Sequence, residues 1–180
     1  MNLTDNIPAL DLQRIIATLE ECAVDYLVVG GSAALAYGAE RVTEDIDVVI
    51  QRSRENRERL ARALKTLNAR LRVGGMTDDE ARTLPVVIDH VALDLEGTST
   101  WMTDAGPLDI LAGLAARGGR VIRFEELAPR SQVLVVDNLV IKAANLADII
   151  ESKEVANRPK DLEALPELRA LRDEADARRQ

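Results

Sequence analysis

The sequence predicts an α/β (α+β) fold: a mixed, twisted sheet of about five strands, flanked by helices and followed by a helical C-terminal tail. Three observations predict it. Some segments have apolar residues at helical spacing, others are short apolar runs typical of buried strands, and the two kinds are mixed along the chain. The length of 180 residues fits one domain. We expect residues 1–157 to form it and residues 158–180 to form a tail that packs on it or extends from it.

Helices are predicted where apolar residues recur every three or four positions and polar residues occupy the opposite face. The predicted segments are 11–23, 54–71, 78–84, 146–156 and 160–180, together with a short alanine-rich helix over 32–37. Ser32 is the expected N-cap of the short helix, and Gly38 its end. In the tail, Pro166 marks an early turn.

Short apolar runs bounded by turn residues are candidate strands. They are residues 26–29, 46–50, 86–95, 108–111, 121–124, 133–136 and 139–141, of which 86–95 has the least regular pattern. Gly106-Pro107 predicts a turn just before one of them. Asp137-Asn138 joins the last two in the manner of a hairpin.

The charge and the aromatic content restrict the class of partner. The formal net charge is −8, with 23 Lys and Arg against 31 Asp and Glu. Broad nucleic-acid surfaces depend on many Lys and Arg contacts to phosphates, so we expect no extended surface of that kind. Base stacking is also restricted, because the only aromatic residues are Trp101, Tyr26, Tyr37 and Phe124. A small or locally held substrate is predicted instead.

The sequence carries no feature of a secreted or membrane-spanning protein. Cys22 is the only cysteine, so no disulfide can form within the chain, which favours a reducing compartment. No apolar run approaches the ~18 residues of a membrane span, and the first residues lack the basic start and apolar stretch of a signal peptide. We therefore expect a cytoplasmic protein without a membrane partner.

A glycine pair after the first candidate strand indicates a phosphate site. Gly30 and Gly31 have no side chain, so the backbone can approach a ligand closely. The helix that begins at Ser32 directs its unpaired N–H groups at the same turn, where a phosphate is the natural ligand. Glycine pairs also form plain tight turns, so this motif gains weight only from the residues that follow it.

Two acids open the second candidate strand, where the sequence reads Asp45-Ile46-Asp47. Alternate residues of a strand project from one face, so the two carboxylates point together while Ile46 faces the core. Two like charges held close are costly unless a cation lies between them, and oxygen ligands of this kind suit Mg²⁺. The alternative is a strand edge with two solvated acids.

A dinucleotide-binding Rossmann turn would also place glycines, a helix and an acid after a strand. The pattern GxGxxG is absent, and Gly38 ends the helix too early for a crossover between parallel strands. Asp45 and Asp47 also lie at the start of their strand, whereas a ribose-binding acid belongs at the end of the second strand. The sequence therefore disfavours this class.

Together these motifs resemble the signature of the DNA polymerase β-like nucleotidyltransferase superfamily, in particular its small bacterial members related to the AbiEii and MenT type IV toxins. The resemblance is carried by Gly30-Gly31-Ser32, Arg41-x-Thr43-x-Asp45-Ile46-Asp47, Gly106-Pro107-Leu108-Asp109, Ser152-Lys153 and Arg158-Pro159-Lys160-Asp161. These motifs extend over most of the chain, and their combination is more specific than any one of them.

The resemblance implies a minimal nucleotidyltransferase fold and transfer of a nucleoside monophosphate from a nucleoside triphosphate (NTP) to an acceptor hydroxyl. It implies that Asp45, Asp47 and Asp109 are the catalytic acids and the ligands of two Mg²⁺ ions. The groups that it implies for binding the nucleotide and its phosphates are Gly30, Gly31, Ser32, Arg41 and Lys153.

The implied acceptor is an RNA such as tRNA, or a protein, and the implied role is the toxin of a toxin–antitoxin pair with a cognate antitoxin. Two alternatives stay open. The first is a nucleotide- or partner-binding protein that kept the fold and lost turnover, although the presence of three carboxylates favours an enzyme. The second is an enzyme that modifies a small molecule such as an antibiotic, since the acidic charge fits a cationic acceptor better than RNA.

Overall fold

The computed structural model describes residues 8–40, 43–94 and 96–177. These residues form a seven-stranded sheet with helices packed on it, and two further strands form a ribbon. The strands are β1 (Tyr26–Val29), β2 (Ile46–Ile50), β3 (Arg70–Leu71), β4 (Thr98–Thr103), β5 (Gly106–Leu111), β6 (Leu114–Ala116), β7 (Arg120–Ile122), β8 (Gln132–Val136) and β9 (Leu139–Ala143). The α-helices are α1 (Leu12–Glu21), α2 (Gly30–Ala36), α3 (Arg54–Thr66), α4 (Asp78–Arg82), α5 (Phe124–Leu127), α6 (Leu146–Ala156) and α7 (Pro159–Ala177).

The order of strands in the main sheet is β3-β4-β5-β2-β1-β9-β8, and β6 pairs with β7 in the ribbon. The central strand β2 runs antiparallel to β1 and parallel to β5. All four residues of β1 are buried and apolar, as expected for a strand covered on both faces. The mixed sheet flanked by helices is therefore confirmed, but it has seven strands within the described residues rather than the predicted five or so.

In the main sheet the sequence analysis missed β3 and β4, which lack a continuous apolar run, and it also missed the short strand β6 of the ribbon. β3 has only two residues and lies within the predicted helix 54–71, whose helical part ends at Thr66. β4 reads TSTWMT, so polar residues occupy four of its six positions. Its Thr103 is nevertheless fully buried, and the Thr103 hydroxyl donates a hydrogen bond to the Gly106 carbonyl at 2.7 Å. A hydrogen bond of this kind stabilises a buried polar side chain in the core.

Residues 86–94 do not form the predicted strand, and Leu95 lies outside the described residues. Asp89 Oδ1 accepts hydrogen bonds from the backbone N–H groups two and three residues later, at 2.9 and 2.8 Å, and so bends the chain. Val87 and Val91 are 68% and 67% exposed. The apolar composition of this segment is typical of a strand, although the side chains of Val87 and Val91 are exposed.

The glycine pair lies inside the short helix and not before it. α2 begins at Gly30, with Val29 as its N-cap. Ser32 is fully buried, and its Oγ donates a hydrogen bond to the backbone oxygen of Asp45 at 2.8 Å. The prediction of Ser32 as the N-cap is therefore wrong, because its hydroxyl instead fastens the chain just before β2.

Two predicted turns are close to their observed positions. β8 and β9 form the predicted hairpin, and Asp137 and Asn138 have φ values of 48° and 67°, as a type I′ turn requires. The turn predicted at Gly106-Pro107 is shifted towards the N-terminus. Both residues belong to β5, and the chain reverses between Thr103 and Gly106.

The C-terminal helix packs on the rest of the fold. α7 contacts α6, and its Ala164, Leu165 and Leu168 are buried in the core. Pro166 does not mark a turn but lies inside α7. The division of the chain at residues 157 and 158 stays a prediction. Neither α7 nor any other helix in the described ranges is long and apolar enough to cross a membrane.

Candidate active site

Strands β2 and β5 bring together acids that are distant in the sequence. Asp47 lies directly opposite Asp109 in the parallel register, and Asp45 immediately precedes β2. All three acids line one cavity of about 600 Å³, which we call the first cavity. The three carboxylates that the sequence analysis grouped are therefore neighbours in the structure.

The environment of this cavity disfavours negative charge on two of these acids. Burial, and then the carboxylates of Asp45 and Asp109, raise the pKa of Asp47 to about 7, while Lys160 and Lys153 oppose the shift. Burial and then the carboxylate of Asp45 also raise the pKa of Asp109. Because neighbouring like charges are costly, the site favours a bound cation at neutral pH.

The donor set fits Mg²⁺. Asp109 Oδ1 is buried and has no hydrogen-bond partner among the described residues, so this oxygen is available to a ligand. In the described ranges, no group of three or more Asp, Glu, His or Cys side chains is placed so that it could hold a metal ion by itself. Asp45 Oδ1 instead accepts a hydrogen bond from Thr43 Oγ1 at 3.2 Å. Mg²⁺ suits such an incomplete set, because it usually binds one or two carboxylates together with substrate phosphates and water.

Gly30 and Gly31 allow α2 to approach β2 closely. Gly30 has φ +62°, and a β-carbon at this position would collide with the carboxylate of Asp47. A β-carbon at Gly31 would lie 2.9 Å from Thr43 Oγ1. Both glycines line the first cavity, and their role in phosphate binding stays a prediction. Ser32 is not among its lining residues, and its hydroxyl is used in the structural hydrogen bond described above.

Basic side chains also line the first cavity, namely Lys153, Arg158 and Lys160. Two of them are held by Asp161, which is fully buried and contacts Lys153 Nζ at 3.1 Å and Arg158 Nε at 2.5 Å. Burial would raise the pKa of Asp161, but the hydrogen bonds from Arg158 and Lys153 hold it below its usual range. A buried carboxylate therefore keeps two cations beside the three acids.

The structure places Lys153 in the first cavity and adds Arg158, Lys160 and Asp161, which the sequence analysis did not assign to the site. Their signal was present in the sequence, because all three belong to the Arg-Pro-Lys-Asp motif. Arg41, the other predicted phosphate-binding residue, lies outside the described residues.

A second cavity, of about 560 Å³, meets the first at the carboxylates. Asp45 and Asp109 line both cavities, whereas Asp47 and the three basic residues line the first but not the second. The remaining wall of the second cavity consists of residues from the segment 71–81, together with Thr100 and Met102 of β4. Two ligands can therefore reach the same pair of acids from different cavities.

A family comparison decides the class of this protein. The model described as "Nucleotidyl transferase AbiEii toxin, Type IV TA system" matches residues 12–110. The chain belongs to this family. It is an NTP-dependent nucleotidyltransferase of the DNA polymerase β-like superfamily, as its motifs predicted. A search of curated proteins found no significant match.

Solved structures of other proteins share the fold of this AbiEii-family chain. The solution structure of the antibiotic-resistance factor ANT(2'')-Ia matches with a TM-score of 0.55 and 16% identity, over 92% of this chain and 89% of that one. The lincosamide antibiotic adenylyltransferase LnuA, with lincomycin bound, matches with a TM-score of 0.53 and 14% identity, over 91% and 99%. TM1012 of Thermotoga maritima, a candidate nucleotidyltransferase, matches with 0.53 and 14%, over 87% and 88%. At these identities the likeness shows the fold.

Proposed function

We propose that this AbiEii-family protein transfers a nucleoside monophosphate from an NTP to a hydroxyl group of an RNA or a protein, in a Mg²⁺-dependent reaction. One observation carries the proposal. Asp47 and Asp109 face each other on neighbouring strands, in a cavity that is also lined by Lys153, Arg158 and Lys160. Nucleotidyl transfer requires carboxylates that bind a cation and, next to them, basic side chains that bind phosphates.

The triphosphate would occupy the first cavity. Lys153 and Arg158 would bind its oxygens and stabilise the charge on the departing pyrophosphate, and Asp161 would keep both side chains in place. Gly30 and Gly31 would let the backbone approach the phosphates, because neither residue has a side chain.

Asp45, Asp47 and Asp109 would hold two Mg²⁺ ions. When bound, such ions neutralise the phosphate charge and lower the pKa of the attacking hydroxyl. Asp109 would also accept the proton of that hydroxyl, since its Oδ1 is buried without a hydrogen-bond partner among the described residues.

The position of the label in the NTP distinguishes this reaction from other uses of the nucleotide. We expect the purified protein, with Mg²⁺ and each of the four NTPs in turn, to transfer an α-phosphate label to total RNA or total protein. A γ-phosphate label should stay with pyrophosphate. EDTA should abolish the transfer, and Asp109→Asn serves as the matched inactive variant. Transfer of the γ-label, or incorporation that Asp109→Asn leaves unchanged, would contradict the proposal.

Family membership further supports a role as the toxin of a toxin–antitoxin pair, with a cognate antitoxin as partner. If transfer damages an essential acceptor, expression of the wild-type chain should arrest bacterial growth, and Asp47→Ala should relieve the arrest. Equal growth arrest by the wild type and Asp47→Ala, expressed at equal levels, would show that toxicity does not depend on the transfer reaction.

A further inference from the structure

The two cavities assign the two substrates to different sides of the acids. In-line displacement requires the attacking oxygen and the departing pyrophosphate to lie on opposite sides of the phosphorus atom. The basic residues that suit a triphosphate line the first cavity and not the second. If the proposed function is correct, the acceptor therefore enters through the second cavity, and the chemistry of that cavity selects it.

Arg72 is the cationic group of the second cavity. Its backbone is fixed on β4, since its N–H donates to the Thr100 carbonyl at 2.9 Å and its carbonyl accepts from Thr100 Oγ1 at 3.3 Å. Its side chain is exposed, and no carboxylate in the described ranges forms an ion pair with it. By contrast, Arg70 and Arg82 nearby both have carboxylate partners. Arg72 therefore presents a charge that a ligand can use.

The remaining acid of the second cavity is already compensated. Asp78 lines this cavity, but its carboxylate forms ion pairs with Arg70 and with Arg82, the latter at 3.3 Å. The same two arginines contact Asp104 at 3.2 and 3.6 Å, so two cations balance two anions. Asp45 and Asp109 belong to the metal site. The charge of Arg72 is therefore not offset by Asp78.

Apolar side chains form much of the remaining wall. Val73, Met76 and Met102 line the second cavity, and the unbranched thioether side chains of methionine adapt to flat or irregular ligands. The volume of about 560 Å³ suits a group of small-molecule size rather than a nucleic-acid duplex. An apolar wall beside one cation fits a base or sugar that carries a phosphate.

From these contacts we infer that Arg72 binds a phosphate next to the attacked hydroxyl, so that the acceptor is the terminal nucleotide of a single-stranded RNA end. A protein hydroxyl lacks this phosphate. A cationic aminosugar, such as the tobramycin in the adenylylated product bound to ANT(2")-Ia, would be repelled by Arg72 and would find Asp78 already paired. The likeness in fold to antibiotic-modifying enzymes therefore does not extend to the acceptor.

A binding measurement tests Arg72 without relying on turnover. The probe is a fluorescent single-stranded RNA of about eight nucleotides with a free 3′-hydroxyl, added to protein saturated with Mg²⁺ and a non-transferable NTP analogue. Arg72→Gln should weaken RNA binding at least ~10-fold and lower the salt slope of log K by about 0.7, the value for one lost phosphate contact. Affinity for the NTP analogue should change less than about threefold. Arg62→Gln, on the exposed face of α3, is the matched control and should behave as the wild type.

Several outcomes would overturn the assignment of Arg72. These are RNA affinity and salt slope unchanged by Arg72→Gln, no binding of the RNA probe by the wild type up to millimolar concentration, and preferential labelling of protein or tobramycin over RNA. Failure of the proposed function has a different signature. In that case the RNA would bind through Arg72, yet no α-phosphate label would reach it.

Discussion

Asp47 lies where the metal-free fold disfavours a negative charge. Burial and the carboxylates of Asp45 and Asp109 raise its pKa to about 7, whereas an unfolded aspartate titrates near 4. Between these values the folded state keeps a proton that the unfolded state has released. The contribution of Asp47 to the free energy of unfolding is therefore greatest below pH ~4 and declines as the pH rises to about 7.

Asp47→Asn should consequently stabilise the metal-free protein, because the amide carries no charge at any pH. The gain should grow from pH ~4 to pH ~7 and then stay constant, at roughly 4 kcal/mol. Urea unfolding in EDTA at a series of pH values measures it. Glu21→Gln, at the exposed end of α1, is the control and should show no such trend. Equal stability of Asp47→Asn and the wild type at pH 8 would contradict the electrostatic interpretation.

Asp109 should act mainly in the chemical step, because it assists the attacking hydroxyl as well as binding metal. We expect Asp109→Asn to bind Mg²⁺ and NTP within about tenfold of the wild type, or 1.4 kcal/mol, yet to transfer at least ~10³-fold more slowly. Titration calorimetry and single-turnover transfer measure the two quantities. Asp47→Ala should instead lose metal-dependent NTP binding. Near-normal transfer by Asp109→Asn would exclude the mechanism with three carboxylates.

At the scale of elements, the junction between α2 and β2 depends on Gly30. Its φ of +62° is strained for other residues, and any β-carbon there would meet the Asp47 carboxylate. Gly30→Ala should cost about 2 kcal/mol or more of stability and weaken NTP binding. Gly74→Ala is the control, since a β-carbon at Gly74 would have no heavy atom within 4 Å. Thermal unfolding and NTP titration that fail to distinguish the two variants would show that the close approach is dispensable.

Most of the strands could be predicted from continuous apolar runs. β1 and β2 could be predicted because both are continuous apolar runs in the centre of the sheet. β4 could not, since its buried Thr103 is stabilised by a hydrogen bond to Gly106 that depends on the pairing of β4 with β5. Residues 86–94 misled in the opposite direction, because Val87 and Val91 are apolar but exposed.

At the scale of the whole molecule, the candidate site combines local motifs with long-range pairing. The alternation of Asp45 and Asp47 was evident from the sequence, and a family motif added Asp109. The pairing of β2 with β5 cannot be derived from the local sequence pattern, because α3, β3, α4 and β4 lie between the two strands along the chain. The second cavity could not be predicted either, because its wall combines the segment 71–81 with Thr100 and Met102 of β4, which only the folded chain brings together.

The C-terminal helix α7 both covers the core and begins next to the site. Leu168 is 1% exposed, whereas Leu162 on the same helix is 48% exposed. Asp161, near the start of α7, holds Lys153 and Arg158 at the first cavity. If α7 is an integral part of the domain, its packing and the triphosphate site should respond together.

Leu168→Ala should therefore destabilise the whole protein by about 2 to 4 kcal/mol, because it leaves a cavity in the core, whereas Leu162→Ala should cost less than about 0.5 kcal/mol. Urea unfolding monitored by far-UV circular dichroism and by Trp101 fluorescence should give one coincident transition for both variants. A separate early transition of Leu168→Ala, seen only in the helical signal, would show that α7 unfolds as an independent tail. In that case NTP affinity should fall at urea concentrations where Trp101 is still buried, because Asp161 would no longer hold Lys153 and Arg158.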